Sequence, residues 1–210
     1  MDTFKAGLIS LLIICGIWGC ASGVPHTIIP DYDKRAIRLV ALAPVDNRTN
    51  DEAAAKLLRK TILDTLYFKG YPRIPLDMID DKLTVACGEQ ARASADDISP
   101  TVIGQVLGVD AIMYARLLEW NTSFISVYAT TTVSVALELK DAKTGVTLWD
   151  SQHSVVARHY DFTRKRLELK ACQSYEPAVR QIVDETLSSL PDGPDSAGKA
   201  LPQKKFWKFW

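Results

Sequence analysis

The chain has 210 residues, and its 25 basic and 25 acidic side chains leave no formal net charge at pH 7. A balanced charge provides no electrostatic footprint for nucleic acid, so the sequence predicts no nucleic-acid partner. Hydrophobic residues make up 47% of the chain, and a chain of this length can form one domain with a sizeable core.

An apolar stretch from Ala6 to Trp18 follows a single lysine, Lys5, near the N-terminus. The stretch is about as long as a signal-peptide core and shorter than the roughly 20 residues that a bilayer-spanning helix needs. An uncleaved signal anchor and an ordinary cleaved secretion signal stay open as alternatives. Gly16 and Gly19 make the end of this stretch a poor helix, which favours a leader.

The segment Ile17-Trp18-Gly19-Cys20 resembles the bacterial lipobox. This resemblance implies that residues 1–19 are a lipoprotein signal peptide. It also implies that Cys20 is acylated and becomes the first residue of the mature chain, with no other cofactor. No aspartate follows Cys20 at the position associated with inner-membrane retention. We therefore expect a lipid anchor in the outer membrane and a domain that faces the periplasm.

Two cysteines, Cys87 and Cys172, remain after the leader is removed and Cys20 is acylated. An oxidising periplasm permits a disulfide between them, which would stabilise the fold by about 4 kcal/mol in the chain-entropy model. Free thiols are the alternative. A metal site is not expected, because neither cysteine belongs to a CxxC motif and His153 and His159 have no ligand spacing to them.

Residues 20–35 are rich in Pro, Ser and Asp and predict a flexible tether, followed by a single domain over residues 36–190. Ile37 to Ala43 reads as a buried strand. Thr49 to Glu52 fits a capping box, and apolar residues then recur at helical spacing until Gly70.

A short second strand is predicted over Tyr71 to Ile74, and a weaker helix over about Leu76 to Leu83. After a polar loop, Ser99-Pro100 starts a short helix that ends at Gly108.

Three long β-branched and aromatic segments follow from Asp110 and predict an antiparallel meander. Its turns are expected at Asn121-Thr122 and at Asp141 to Gly145. An amphipathic helix over Glu176 to Leu190 closes the domain. The order predicts an α/β (α+β) fold, with a mixed sheet and helices packed on it. The basic segment Tyr160 to Cys172 reads as an excursion or an extra edge strand.

Residues 191–210 predict a flexible tail with an aromatic and basic end. Its four aromatic residues stand among three lysines, which suits a bilayer interface or an anionic groove on a partner. A terminus without a role is the alternative. The aromatic residues are Phe206, Trp207, Phe209 and Trp210.

Motifs for hydrolases, nucleotide binding and metalloproteases do not occur in the sequence. The pairs Asp80-Asp81 and Asp96-Asp97 are adjacent in sequence, so their side chains point to different faces and cannot form a paired-carboxylate site. The sequence therefore predicts a protein that is not an enzyme.

Two segments resemble known families. Ile37 to Tyr71, with its Pro-x-x-Asn-x-Thr loop, resembles the TolB N-terminal, CsgG-like and LpoB group. Gly108 to Ser151, with its Gly-x-Asp-Ala start and Asp-Ala-x-Thr-Gly turn, resembles a family of bacterial lipoproteins of unknown function associated with CsgG-type outer-membrane secretion.

The resemblance implies a periplasm-facing adaptor or assembly factor that can form a homo-oligomer. Its expected partners are envelope proteins, a CsgG-like secretion channel or other lipoproteins. Two alternatives stay open: an LpoB-like activator of a peptidoglycan synthase, and a hydrolase with an unrecognised site.

Overall fold

The structure is a computed structural model that describes residues 23–89 and 98–195. These residues form six strands and four α-helices. The strands are β1 (His26–Ile28), β2 (Val40–Leu42), β3 (Asp46–Asn47), β4 (Ala111–Ile125), β5 (Tyr128–Asp141) and β6 (Thr147–Tyr160). The helices are α1 (Glu52–Phe68), α2 (Leu76–Cys87), α3 (Pro100–Leu107) and α4 (Arg164–Leu187).

All six strands form one mixed sheet in the order β1-β6-β5-β4-β2, with β3 also paired to β4. Strands β4, β5 and β6 are the predicted antiparallel meander, whereas β2 and β3 run parallel to β4. The predicted fold class, a mixed sheet with a three-stranded meander and helices packed on it, is confirmed.

Helices cover both faces of the sheet, because side chains alternate between the faces along each strand. On β4, Met113 and Leu117 point to the face that α1 and α4 cover. Ile112 and Tyr114 point to the opposite face, which α2 and α3 cover. We call these the α1/α4 face and the α2/α3 face.

Helix α1 starts where the sequence predicts, but the predicted capping box is wrong. The N-cap is Asp51, whose Oδ1 accepts a hydrogen bond from the Ala54 N–H at 2.9 Å. The Thr49 hydroxyl instead accepts a hydrogen bond from the Asp51 N–H at 3.3 Å, within the loop that precedes the helix.

Two predicted local features are wrong because contacts between distant residues decide them. Tyr71 to Ile74 is not a strand: Tyr71 is buried, and its N–H closes the end of α1 on the Leu66 carbonyl. Asn121-Thr122 is not a turn, since β4 continues to Ile125 and the chain turns at Ser126, whose φ is 53°.

The basic segment Tyr160 to Cys172 is neither an excursion nor an edge strand. Its greater part forms the first half of α4, which begins at Arg164 rather than at Glu176 and contains Pro177. Leu167 and Ala171 are the buried residues of this half. A helix that buries only a narrow stripe of side chains shows a weak hydrophobic period. This first half of α4 therefore could not be recognised as a helix from the sequence.

The folded part extends beyond the predicted limits of residues 36 and 190. Strand β1 pairs with β6, and Tyr32 is buried with its hydroxyl 2.9 Å from that of Tyr71. The Tyr71 hydroxyl donates to the Pro191 carbonyl at 2.9 Å, and the Gly193 N–H donates to the Lys69 carbonyl at 2.7 Å. Parts of the predicted tether and tail therefore belong to the domain.

The Asp141 carboxylate organises the predicted β5–β6 turn. Its Oδ1 accepts the N–H groups of Lys143 and Thr144 at 2.8 and 2.9 Å, and its Oδ2 accepts the Arg35 guanidinium at 3.0 Å. Burial raises the pKa of Asp141, but these hydrogen bonds outweigh burial and hold the pKa below its ordinary value. The carboxylate therefore stabilises the fold at neutral pH and loses that effect as the pH falls below about 4.

Replacing Asp141 tests this account. Asp141→Ala should lower the free energy of unfolding by about 1.5–3 kcal/mol at pH 7, because it removes charge-assisted hydrogen bonds. Asp141→Asn keeps an acceptor for the turn and should cost less. Urea unfolding followed from pH 7 to pH 3 should show a smaller acid-dependent loss in Asp141→Asn than in the wild type. An equal loss in both, with the exposed Asp81→Asn as control, contradicts the assignment.

Candidate functional site

A cleft of about 950 Å³ lies between α1, α2 and the loop after β2. Its floor is shaped by the Pro-x-x-Asn-x-Thr loop. The Asn47 side-chain oxygen accepts both the N–H and the hydroxyl of Thr49, at 3.0 and 2.7 Å, and its amide donates to the Asp51 carbonyl at 3.1 Å. The motif that carries the family resemblance is therefore a loop stabilised by its own hydrogen bonds, and it holds the backbone of Asp51, the N-cap of α1.

The largely buried charges of this cleft are paired with each other. Arg59 on α1 makes two hydrogen bonds to the Asp80 carboxylate on α2, at 2.7 and 2.8 Å, and donates to the Leu42 carbonyl at 3.1 Å. This bidentate pair joins the two helices across the edge of the sheet. Among the described residues that line the cleft there is no histidine, cysteine or serine.

Two of the three histidines make hydrogen bonds within the fold. His153 on β6 lies 2.8 Å from Glu185 on α4, and His26 lies 3.0 Å from the Val24 carbonyl. A hydrogen bond from Gln181, and then the one from His153, keep the pKa of Glu185 below its ordinary value. In residues 23–89 and 98–195, no group of three potential ligands could hold a metal ion.

The two cysteines of the domain are both free thiols. Cys87 ends α2 and Cys172 lies on α4, so the sheet separates them. A disulfide requires Cα atoms within about 7 Å of each other. The expected bridge is therefore not formed in the structure, and the free-thiol alternative describes it.

In the far half of the meander, no described residue outside the sheet covers one of the two faces, which continues the α2/α3 face beyond those two helices. We call it the open face. Side chains of β4 and β6 are exposed on it, and small polar side chains of β5 lie half-buried between them. The open face consists of Glu119, Asn121 and Ser123 on β4, Thr130, Thr132 and Ser134 on β5, and Gln152, Ser154, Val156 and Arg158 on β6.

The same half of the meander has two free strand edges. Strand β1 pairs only with residues 149–151 of β6, and β3 pairs only with residues 116–117 of β4. Residues 152–160 of β6 and residues 118–125 of β4 have no strand partner on their outer side among the described residues. The alternation of small polar and buried residues on β5 is visible in the sequence, but the sequence does not reveal which part of the sheet the helices leave open.

The predicted lipidation residue, Cys20, lies outside the described residues, and so do Phe206, Trp207, Phe209 and Trp210. Among the helices that the structure describes, none is long and apolar enough to span a bilayer.

Comparison with known proteins gives a family and a shared fold. The family model described as "Putative lipoprotein GNA1162-like" matches residues 32–201. The solved structure of lipoprotein GNA1162 from Neisseria meningitidis is 22% identical, covers 70% of this chain and 99% of its own, and superposes with a TM-score of 0.54.

Two further solved structures are similar. A PelC dodecamer from Paraburkholderia phytofirmans is 14% identical, covers 80% of this chain and 96% of its own, and has a TM-score of 0.51. The LpoB C-terminal domain from Salmonella enterica is 17% identical, covers 57% of this chain and 83% of its own, and has a TM-score of 0.44. The search of curated proteins found no match.

Proposed function

Because the chain belongs to the GNA1162-like lipoprotein family, we propose that it is a non-catalytic binding or assembly factor of the cell envelope. In this proposal a lipid on Cys20 anchors it in the outer membrane, and its domain faces the periplasm. It needs no cofactor beyond that lipid.

The observation that carries the proposal is the far half of the meander, with its open face and two free edges. An unpaired edge presents a row of backbone donors and acceptors to which another chain can add a strand. Ser154 and Asn121 stand beside these edges on an exposed, mostly neutral face. Such a surface suits a protein partner better than a small molecule, which generally binds in an enclosed and apolar pocket.

The cleft between α1 and α2 supports the non-catalytic part of the proposal. Its bidentate pair, Arg59 with Asp80, satisfies the most buried charges and links two helices. Removing either partner would leave the other charge unpaired, so this pair is better suited to holding the cleft together than to catalysis.

A CsgG-like secretion channel is the first partner to test, because Ile37 to Tyr71 and Gly108 to Ser151 resemble segments of that group. Further copies of this chain are a second partner. PelC, which shares the fold, was solved as a dodecamer, and the two free edges of the meander could join neighbouring copies. The LpoB-like alternative stays an untested prediction.

The anchor is tested by incorporation of labelled palmitate combined with membrane fractionation. Wild-type protein should incorporate the label and fractionate with the outer membrane, whereas Cys20→Ala should incorporate none and leave that fraction. A Cys15→Ala control should behave as wild type, since Cys15 lies in the predicted leader. Label that persists in Cys20→Ala contradicts the assignment of this sulfur.

The binding surface is tested by crosslinking in intact cells followed by mass spectrometry. The variant Asn121→Lys with Ser154→Lys adds two charges to the open face and should lose most crosslinks to envelope proteins, because unpaired charges are costly to bury. The matched control, Gln105→Lys with Gln173→Lys, adds the same charges to exposed positions of α3 and α4 and should keep them. No envelope partner in the wild type, or equal losses in both variants, counts against the proposal.

A further inference from the structure

The turn between β4 and β5 and the end of β6 form one exposed apolar tip. We call Ile125, Val127, Tyr160 and Phe162 the meander tip. All four side chains are exposed, and Phe162 is 97% exposed. A phenylalanine left almost entirely in water loses the stabilisation that burial would give, so a surface that groups it with three other apolar side chains is suited to contact with an apolar phase.

The tip is held together by local contacts. The Asp161 N–H donates to the Val127 carbonyl at 3.0 Å, and the rings of Tyr128 and Tyr160 lie 4.9 Å apart. Lys170 donates to the Tyr160 carbonyl at 3.0 Å. These contacts join the two parts of the tip to each other and to α4.

Basic side chains lie close to Tyr160 and Phe162 along the chain. Arg158, Lys165 and Arg166 are exposed and form no ion pair within the described residues. The nearby acids, Asp161 and Glu168, are already paired with Lys170 and Arg164 at 3.0 and 2.7 Å. An apolar, partly aromatic tip with unpaired cations beside it matches the chemistry of an anionic bilayer interface, where apolar groups insert and cations meet phosphates.

The path of the N-terminal chain brings the proposed anchor toward the same end of the molecule. Strand β1 is antiparallel to β6 with His26 opposite Ser151, so the chain before His26 heads toward the tip. The tip is about 30 Å from Ser151 along β6. Five residues lie between Cys20 and His26, and this stretch can span at most about 20 Å. A lipid on Cys20 would therefore be held within about 20 Å of His26, and the domain would tilt for the tip to reach the same bilayer.

We propose that the meander tip is a second membrane contact, which lies on an anionic bilayer surface beside the lipid anchor and fixes the orientation of the domain. The orientation relies on the proposed lipidation of Cys20, whereas the affinity of the tip for lipid does not. One end of the open face and of both free edges would then contact the membrane. The rest of this surface would extend away from the membrane, where partner proteins could reach it.

The test uses the chain from residue 20 to residue 210 with Cys20→Ser, which contains every described residue but neither leader nor lipid. Its probes are vesicles of phosphatidylethanolamine with phosphatidylglycerol, and vesicles of phosphatidylcholine alone. Val127→Ser with Phe162→Ser should weaken binding to the anionic vesicles about tenfold or more. The matched control, Val85→Ser with Phe68→Ser, alters a valine and a phenylalanine that are 89% and 76% exposed elsewhere and should bind as wild type.

The charges are tested separately. Lys165→Gln with Arg166→Gln should weaken binding to the anionic vesicles and leave binding to phosphatidylcholine unchanged. Circular dichroism confirms that each variant is folded, and the aromatic end of the chain is the same in all of them.

Equal binding by the tip variant, its control and the wild type overturns the proposal. So does a tip variant that binds vesicles normally but loses crosslinks to a protein, which would make the tip a protein-docking surface. A failure of palmitate labelling leaves this result standing, because the tested chain carries no lipid.

Discussion

The length of the meander strands is the constraint on which the rest of the structure depends. Strand β5 has 14 residues and is about 48 Å long, whereas α2 and α3, with 12 and 8 residues, are only about 18 and 12 Å long. Helix α4, with 24 residues, covers most of the α1/α4 face. The short helices cannot cover the other face to its end, so the open face follows from this difference in length. The free edges follow from the short pairings of β1 and β3 with the much longer β6 and β4.

The family and the geometry both support the proposed role as an interacting protein. The Pro-x-x-Asn-x-Thr loop and the Asp141 turn, which carry the family resemblance, act within the fold: one positions Asp51, the N-cap of α1, and the other closes the β5–β6 hairpin. The residues that could meet a partner lie elsewhere, on the outer parts of β4 and β6. In this protein the recognisable motifs identify the fold, whereas the proposed interacting surface consists of residues that belong to no motif.

The sequence predicts the elements with strong periods and misses those that neighbours determine. The meander, α1 and the Asp141 turn follow from period and turn chemistry, as expected for local signals. Strand β1 has three residues and β3 has two, so neither shows a period. Thr122 resembles a turn residue, but it lies within β4 and its hydroxyl is 2.6 Å from that of Tyr175 on α4. Pro177 is typical of a helix boundary, but α4 continues on both sides of it. The open face exists because α2 and α3 are shorter than the strands they cover. No local sequence pattern shows where a helix will end relative to a distant strand.

The most direct test of the account is hydrogen–deuterium exchange of the lipidated protein in its native membrane compared with the same protein purified in detergent. We predict slower exchange in the membrane along residues 118–125 and 152–160, because partner chains would pair with these free edges. Protection confined to the cleft between α1 and α2, or identical exchange of both edges in the two states, would contradict the claim that the far half of the meander is the surface through which this lipoprotein works.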